Sequence, residues 1–138
     1  MSAMEGDLRK GGHGKREVPI KRRDDPLKIT SFREAAQVTT PHGVKVCKLY
    51  DTPDAQVVHI TLEPGESLKK HITPVDVFFY VLEGTGVVEI GDEKKAVSKD
   101  ALIESPKDIP HCWYNESGAA FRVLVVKTPR PVASTRLL

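Results

Sequence analysis

The side chains of this 138-residue chain best suited to chemistry are a few histidines, two cysteines and one tryptophan, and their spacing limits what they can do. Imidazole serves near neutral pH as acid, base, hydrogen-bond partner or metal ligand. His71 follows Ser67-Leu68-Lys69-Lys70 and precedes Ile72-Thr73, while His111 opens the run Cys112-Trp113-Tyr114. Both runs are β-prone, and residues two apart on a strand share a face. His71 is therefore expected on one side with Lys69 and Thr73, and His111 on one side with Trp113. Cys112 falls on the opposite face from His111, which argues against a Cys/His nucleophile pair. His59 lies where Val58, Ile60 and Leu62 claim the core face, and that pattern turns it outward. Cys47 and Cys112 have no CxxC partner and are read as reduced thiols. No phosphate-cradling glycine loop, Ser/His/Asp order or paired-carboxylate arrangement is present to compete with these residues.

The elements that must position them are short. From Pro41 onward, β-prone runs alternate with turn residues at spacings of about ten residues, the pattern of an antiparallel sandwich or barrel. Val44 to Tyr50 ends in Asp51-Thr52-Pro53-Asp54, Gln56 to Leu62 in Pro64-Gly65, Ser67 to Ile72 near Pro74, Val77 to Leu82 in Gly84, and Val87 to Ile90 in Gly91-Asp92. Lys94 to Val97, Ala101 to Ile103, Cys112 to Tyr114 and Phe121 to Lys127 complete a set that fills a closed or nearly closed barrel. No helical period follows Val38. Before it, Ser31 with Glu34 three residues on is a capping-box signature for a short helix through Ala35 and Ala36.

Length and an apolar content of 39% provide for one compact domain, with residues 1–28 as a polar arm and 29–138 as the barrel domain. The net charge of +2 conceals an asymmetry: the arm holds eight Lys/Arg against five Asp/Glu, leaving thirteen against fourteen for the rest. The arm's basic clusters have no aromatic partner before Phe32 and carry interleaved acids, so nucleic-acid binding is not expected. Met1 to Lys15 lacks the apolar middle of a secretory signal, and no stretch approaches the roughly 20 apolar residues of a membrane helix. A cytoplasmic protein without membrane contact is the expectation. The runs Val77 to Leu82 and Val123 to Val126 are apolar at every position, so both faces want cover, and a second copy of the chain would provide it. A homodimer is expected.

Two spaced motifs resemble the cupin family. Gly65, His71, Thr73, Val77 and Gly84 follow the frame of its first motif, a glycine, five residues, histidine, one, histidine, three or four, glutamate, six, and glycine. Asp100, Pro106, Asp108, His111 and Asn115 follow the second, matching at Pro106, His111 and Asn115, with aspartates where glycines are usual. With the phrase Phe79-Tyr80-Val81-Leu82-Glu83-Gly84, the resemblance spans residues 41 to 128. It implies an all-β jelly-roll barrel, the double-stranded β-helix, here with a short N-terminal helix and arm.

In the family, two histidines and a glutamate of the first motif and the histidine of the second point into the barrel and hold a divalent metal. Here Thr73 stands at the second histidine position and Val77 at the glutamate position, so two of the four ligands are gone. Asp76 adjoins the glutamate position, but alternation points it away unless a bulge re-aims it. If a divalent transition metal is held, His71 and His111 are its ligands, with waters or an added side chain completing the shell. The first reading is a metal-free cupin that binds a small polar or anionic molecule through His71, Thr73, His111 and Trp113. The second is an enzyme, either metal-dependent (oxygenase, isomerase or lyase on a small acid or sugar) or using a histidine as general base. The third is a dimeric scaffold with an interacting arm. Phe79 and Val81 are expected to fill the barrel, Tyr80 to face a subunit contact, and Lys69 either to flank the mouth or to stay in solvent.

Overall fold

The structure is a computed structural model that describes residues 26–39, 43–132 and 136–138. Most of the arm expected over residues 1–28 lies outside the described residues. Among the described residues eleven strands carry the fold: β1 (Gln37–Thr39), β2 (Lys45–Thr52), β3 (Ala55–Leu62), β4 (Ser67–Ile72), β5 (Asp76–Glu83), β6 (Thr85–Ile90), β7 (Glu93–Ser98), β8 (Leu102–Ser105), β9 (His111–Tyr114), β10 (Phe121–Thr128) and β11 (Arg136–Leu137). They form a six-stranded sheet in the order β1-β2-β3-β10-β5-β8 and a five-stranded sheet in the order β11-β4-β9-β6-β7. All pairings are antiparallel. The two sheets enclose one apolar interior, the jelly-roll architecture that the motifs imply. No helix among the described residues is long and apolar enough to cross a membrane.

Alternation sets what faces inward. On β5, Val77, Phe79 and Val81 are buried while Phe78, Tyr80 and Leu82 are half-buried, and β10 repeats the pattern with Phe121, Val123 and Val125 inside. Trp113, Phe79, Phe121, Leu62, Leu68 and Val88 join them in a continuous core. Glycine is required twice beside it. A side chain on Gly86 would strike the Phe121 ring, and Gly84, at φ +83°, lies against the Ala120 carbonyl.

The short N-terminal helix is replaced by a single turn, in which the Ser31 carbonyl accepts from the backbone N–H groups of Glu34 (3.0 Å) and Ala35 (2.9 Å). It does not propagate, because Gln37, Val38 and Thr39 are taken into β1 by pairing with Cys47, Val46 and Lys45. A lone turn nucleates poorly, and the sheet edge offers the next residues better partners.

Candidate functional site

His71 ends up on the inner face through an irregularity. Leu68 is opposite Trp113 and His71 opposite His111, so the register slips by one residue between them. This bulge in β4 puts both Leu68 and His71 inside although they are three residues apart, and it carries Lys69 into solvent. The expectation that Lys69 shares a face with His71 therefore fails. The displaced Lys69 contributes its backbone carbonyl instead, 2.7 Å from His71 Nδ1.

His111, at the start of β9, reaches the same spot from the neighbouring strand. Its Nε2 lies 3.0 Å from His71 Nε2, and its Nδ1 lies 2.6 Å from Ser105 Oγ at the end of β8. A carbonyl can only accept, so His71 Nδ1 carries a proton. With both rings neutral, one assignment satisfies the chain: Ser105 donates to His111 Nδ1, and His111 Nε2–H donates to His71 Nε2. Burial, with the neighbouring His71 and Lys127 charges, pushes the pKa of His111 down to about 3 and keeps that ring neutral. His71 is 7% exposed and His111 2%.

The other expected residues are placed as follows. Thr73, just beyond β4, is buried, and its Oγ1 finds no hydrogen-bond partner among the described residues. Its carbonyl accepts from the Asp108 N–H at 3.0 Å. Trp113 is fully enclosed, with ring centroids 5.3 Å from Phe79 and 5.0 Å from Phe121, and its Nε1 is likewise unpartnered. It packs the core and offers one donor to the interior. Asn115 organises a loop, donating to the Leu62 and Ala119 carbonyls, both at 2.9 Å. Asp100 and Asp108 adopt φ of 72° and 63°, the left-handed region that explains why glycine suits these positions and why aspartate can replace it. Tyr80 faces outward and donates to Asp100 at 3.0 Å.

Cys112 also points outward, its thiol 3.2 Å from Tyr114 Oη and its pKa pushed up by burial, which suits a structural thiol better than a nucleophile. Cys47 and Cys112 are both free and buried. His59 faces outward as the pattern required, yet it is only 2% exposed. Phe32 stacks on it at 3.9 Å and Arg122 donates to its Nε2 at 2.9 Å. Burial first, then the Arg122 charge, lower its pKa to about 4.

Two residues of this neighbourhood were not anticipated. Ser105 precedes Pro106 of the second motif, and no spacing marks it as a partner of His111. Lys127 continues the inward series Phe121, Val123, Val125, and is opposite Val77 across the β5–β10 pairing. Counting that alternation one step further would have found it. Burial, then the Lys48 charge, lowers its pKa.

The family's four-ligand metal does not fit. The two Nε2 atoms do converge at about the span that two imidazoles make across one zinc-like ion, with metal–nitrogen bonds of about 2.0–2.1 Å. However, Val77 is buried at the carboxylate position and offers no donor, and Asp76 is turned outward, where it accepts from the Lys107 N–H at 2.8 Å. No group of three or more His, Cys, Asp or Glu that could hold a metal occurs among the described residues. A separate cleft of about 720 Å³ opens at the β7 and β8 edges, between Val88, Ile90, Val97, Ile103 and Ile109, and neither imidazole lines it.

Two enclosing antiparallel β-sheets with an inward histidine from each motif define a jelly-roll barrel of the double-stranded β-helix type. The chain belongs to the cupin-domain family, whose model matches residues 58–127. It is similar to the TT1209 protein of Thermus thermophilus, at 27% identity over 76% of this chain and 100% of that one, with a TM-score of 0.66. It also resembles the polyketide cyclase RemF of Streptomyces resistomycificus, with 20% identity, coverage of 82% and 86%, and a TM-score of 0.71. A predicted oxalate decarboxylase of Thermotoga maritima aligns at 17% identity, coverage of 80% and 100%, and a TM-score of 0.65. No curated protein sequence matches.

Proposed function

We propose that this cupin binds a small polar molecule inside the barrel at His71 and His111, with Thr73 and Trp113 completing the wall, and that it does so without the family's tightly held metal. The observation that carries this reading is the buried Ser105–His111–His71–Lys69 carbonyl chain. Aligned hydrogen bonds fix which ring atoms donate and accept, as a binding site or a general acid–base pair needs, and a purely apolar core would not retain them. The unpartnered Thr73 Oγ1 and Trp113 Nε1 supply further polar valences for a ligand. Two solved relatives are named for small-molecule chemistry, a polyketide cyclase and a predicted oxalate decarboxylase, which supports the class of function and not the substrate.

The convergence of the two Nε2 atoms favours a second reading, a divalent ion held by the histidines alone. Metal content by plasma mass spectrometry separates the two. Untagged protein is incubated with iron, nickel, manganese and zinc, then washed, beside His71→Ala and His111→Ala. The first reading expects little metal in all three proteins. Near-stoichiometric metal in the wild type, lost in both variants, would replace it with the second. The same reading extends to a cytoplasmic homodimer, joined through the outer face of the six-stranded sheet.

A further inference from the structure

We infer that Lys127 is the charged wall of the His71–His111 site and that the molecule bound there carries an oxyanion group, a carboxylate or a phosphate. The inference rests on the proposed binding at the two histidines and names the ligand class. Its basis is placement. On β10 the inward positions run Phe121, Val123, Val125, Lys127, and Lys127 is opposite Val77 of β5. Val77 is in turn opposite Ser105 of β8, the residue bonded to His111. Lysine, valine, serine and histidine thus follow one another around a single level of the barrel. At this level the family's acid position is the apolar Val77, and the chain instead brings in a cation from the adjacent strand.

Among the described residues that cation is uncompensated. Lys127 is half-buried, and its ammonium makes no ion pair or hydrogen bond with the described residues. The carboxylates nearest in register are engaged or turned away: Asp76 accepts from the Lys107 amide, and Asp51 pairs with Lys48 at 3.2 Å. Lys48, opposite Val58 on the same side of the six-stranded sheet, adds positive charge and no compensation. A half-buried ammonium without a counter-ion is unfavourable, and an oxyanion seated between it and the two imidazoles, whose N–H groups are already engaged within the chain, relieves the cost. The unpartnered Trp113 Nε1–H is a second donor suited to an oxygen acceptor.

Titration calorimetry with acetate, malonate, succinate, benzoate and inorganic phosphate, each at up to millimolar concentration, tests this on wild-type protein, Lys127→Met, Lys127→Arg, His71→Ala and His111→Ala. The expected result is binding of at least one anion that weakens on the order of tenfold or more in Lys127→Met and recovers in Lys127→Arg, as the loss of one charged hydrogen bond predicts. Whether carboxylates or phosphate bind identifies the source of the oxyanion. Lys127→Met should also keep or raise the melting temperature, so weaker binding is not a folding defect. Unchanged anion affinity in Lys127→Met, or no anion binding to the wild type, overturns the inference. Binding that fails in both histidine variants but survives in Lys127→Met overturns it while leaving the histidine site standing. Binding that survives in every variant removes both.

Discussion

A ring nitrogen facing a carbonyl must donate to it, and in this barrel that constraint at His71 propagates through two more side chains to Ser105. Ser105→Ala leaves His111 Nδ1 buried and unpartnered, at a cost of about 1–3 kcal/mol in urea unfolding. Imidazole ¹⁵N shifts should show His111 keeping its Nε2–H tautomer, which His71 fixes, with Nδ1 shifted by the loss of its donor, whereas Ser105→Thr should leave both nitrogens unchanged. A second residue-scale effect concerns protons that the folded chain refuses. His111 and His59 titrate near 3 and 4 when folded, against 6.5 in an unfolded chain. Above pH 6.5 both states are neutral at these rings. As pH falls from 6.5 toward 4, the unfolded chain takes up protons that the folded one does not, so stability declines with acid. At about 1.4 kcal/mol per pKa unit, His59 alone accounts for roughly 3 kcal/mol across that window. Unfolding free energies at pH 7 and pH 4.5 should differ less in His59→Gln than in the wild type.

The elements show where sequence patterns carry and where they stop. Nine of the runs read from alternation and turn residues reappear as β2 to β10, with ends shifted by a few residues. Alternation also placed Trp113 beside His111, turned Cys112 away from it and put His59 on the outer face. It failed at Lys69, because a bulge adds one residue and reverses parity, and nothing local in Lys69-Lys70 announces that. It was silent on β1 and β11, which exist only because an edge strand was available to pair with them. The burial of His59 was likewise invisible, since its cover, Phe32, comes from a distant segment. Phe32→Ala should therefore speed amide exchange over residues 26–39 while leaving the β9 amides protected. Gly86→Ala, which drives a methyl into the Phe121 ring, should cost about 1–3 kcal/mol in the same unfolding assay.

For the molecule as a whole, the inward face of the six-stranded sheet is closed and its outward face is not. Phe78, Tyr80, Leu82, Leu124 and Val126 are only half-buried, and Leu102 is exposed. We propose a two-fold pairing of these faces. Light scattering coupled to size exclusion should give twice the mass of the 15.3 kDa chain, and Leu124→Lys should return it to one copy without loss of strand content. The fold was legible in the sequence because turn residues and period-two patterning are local, whereas the candidate site was legible only as His71, Thr73, His111 and Trp113. Its other members, Ser105 and Lys127, join it through pairings between strands far apart in the chain. The core also carries a single indole, sealed at Trp113 and linked through Phe79, with centroids 5.3 Å and 5.2 Å away, to the His111 ring. Excited selectively over the three tyrosines, the intrinsic emission therefore comes from one indole buried among aromatic rings, one ring removed from a neutral imidazole that becomes a quencher when charged. Its wavelength reports whether the barrel is closed, and its intensity reports the charge on His111, so folding and site chemistry can be followed in one cuvette without a label.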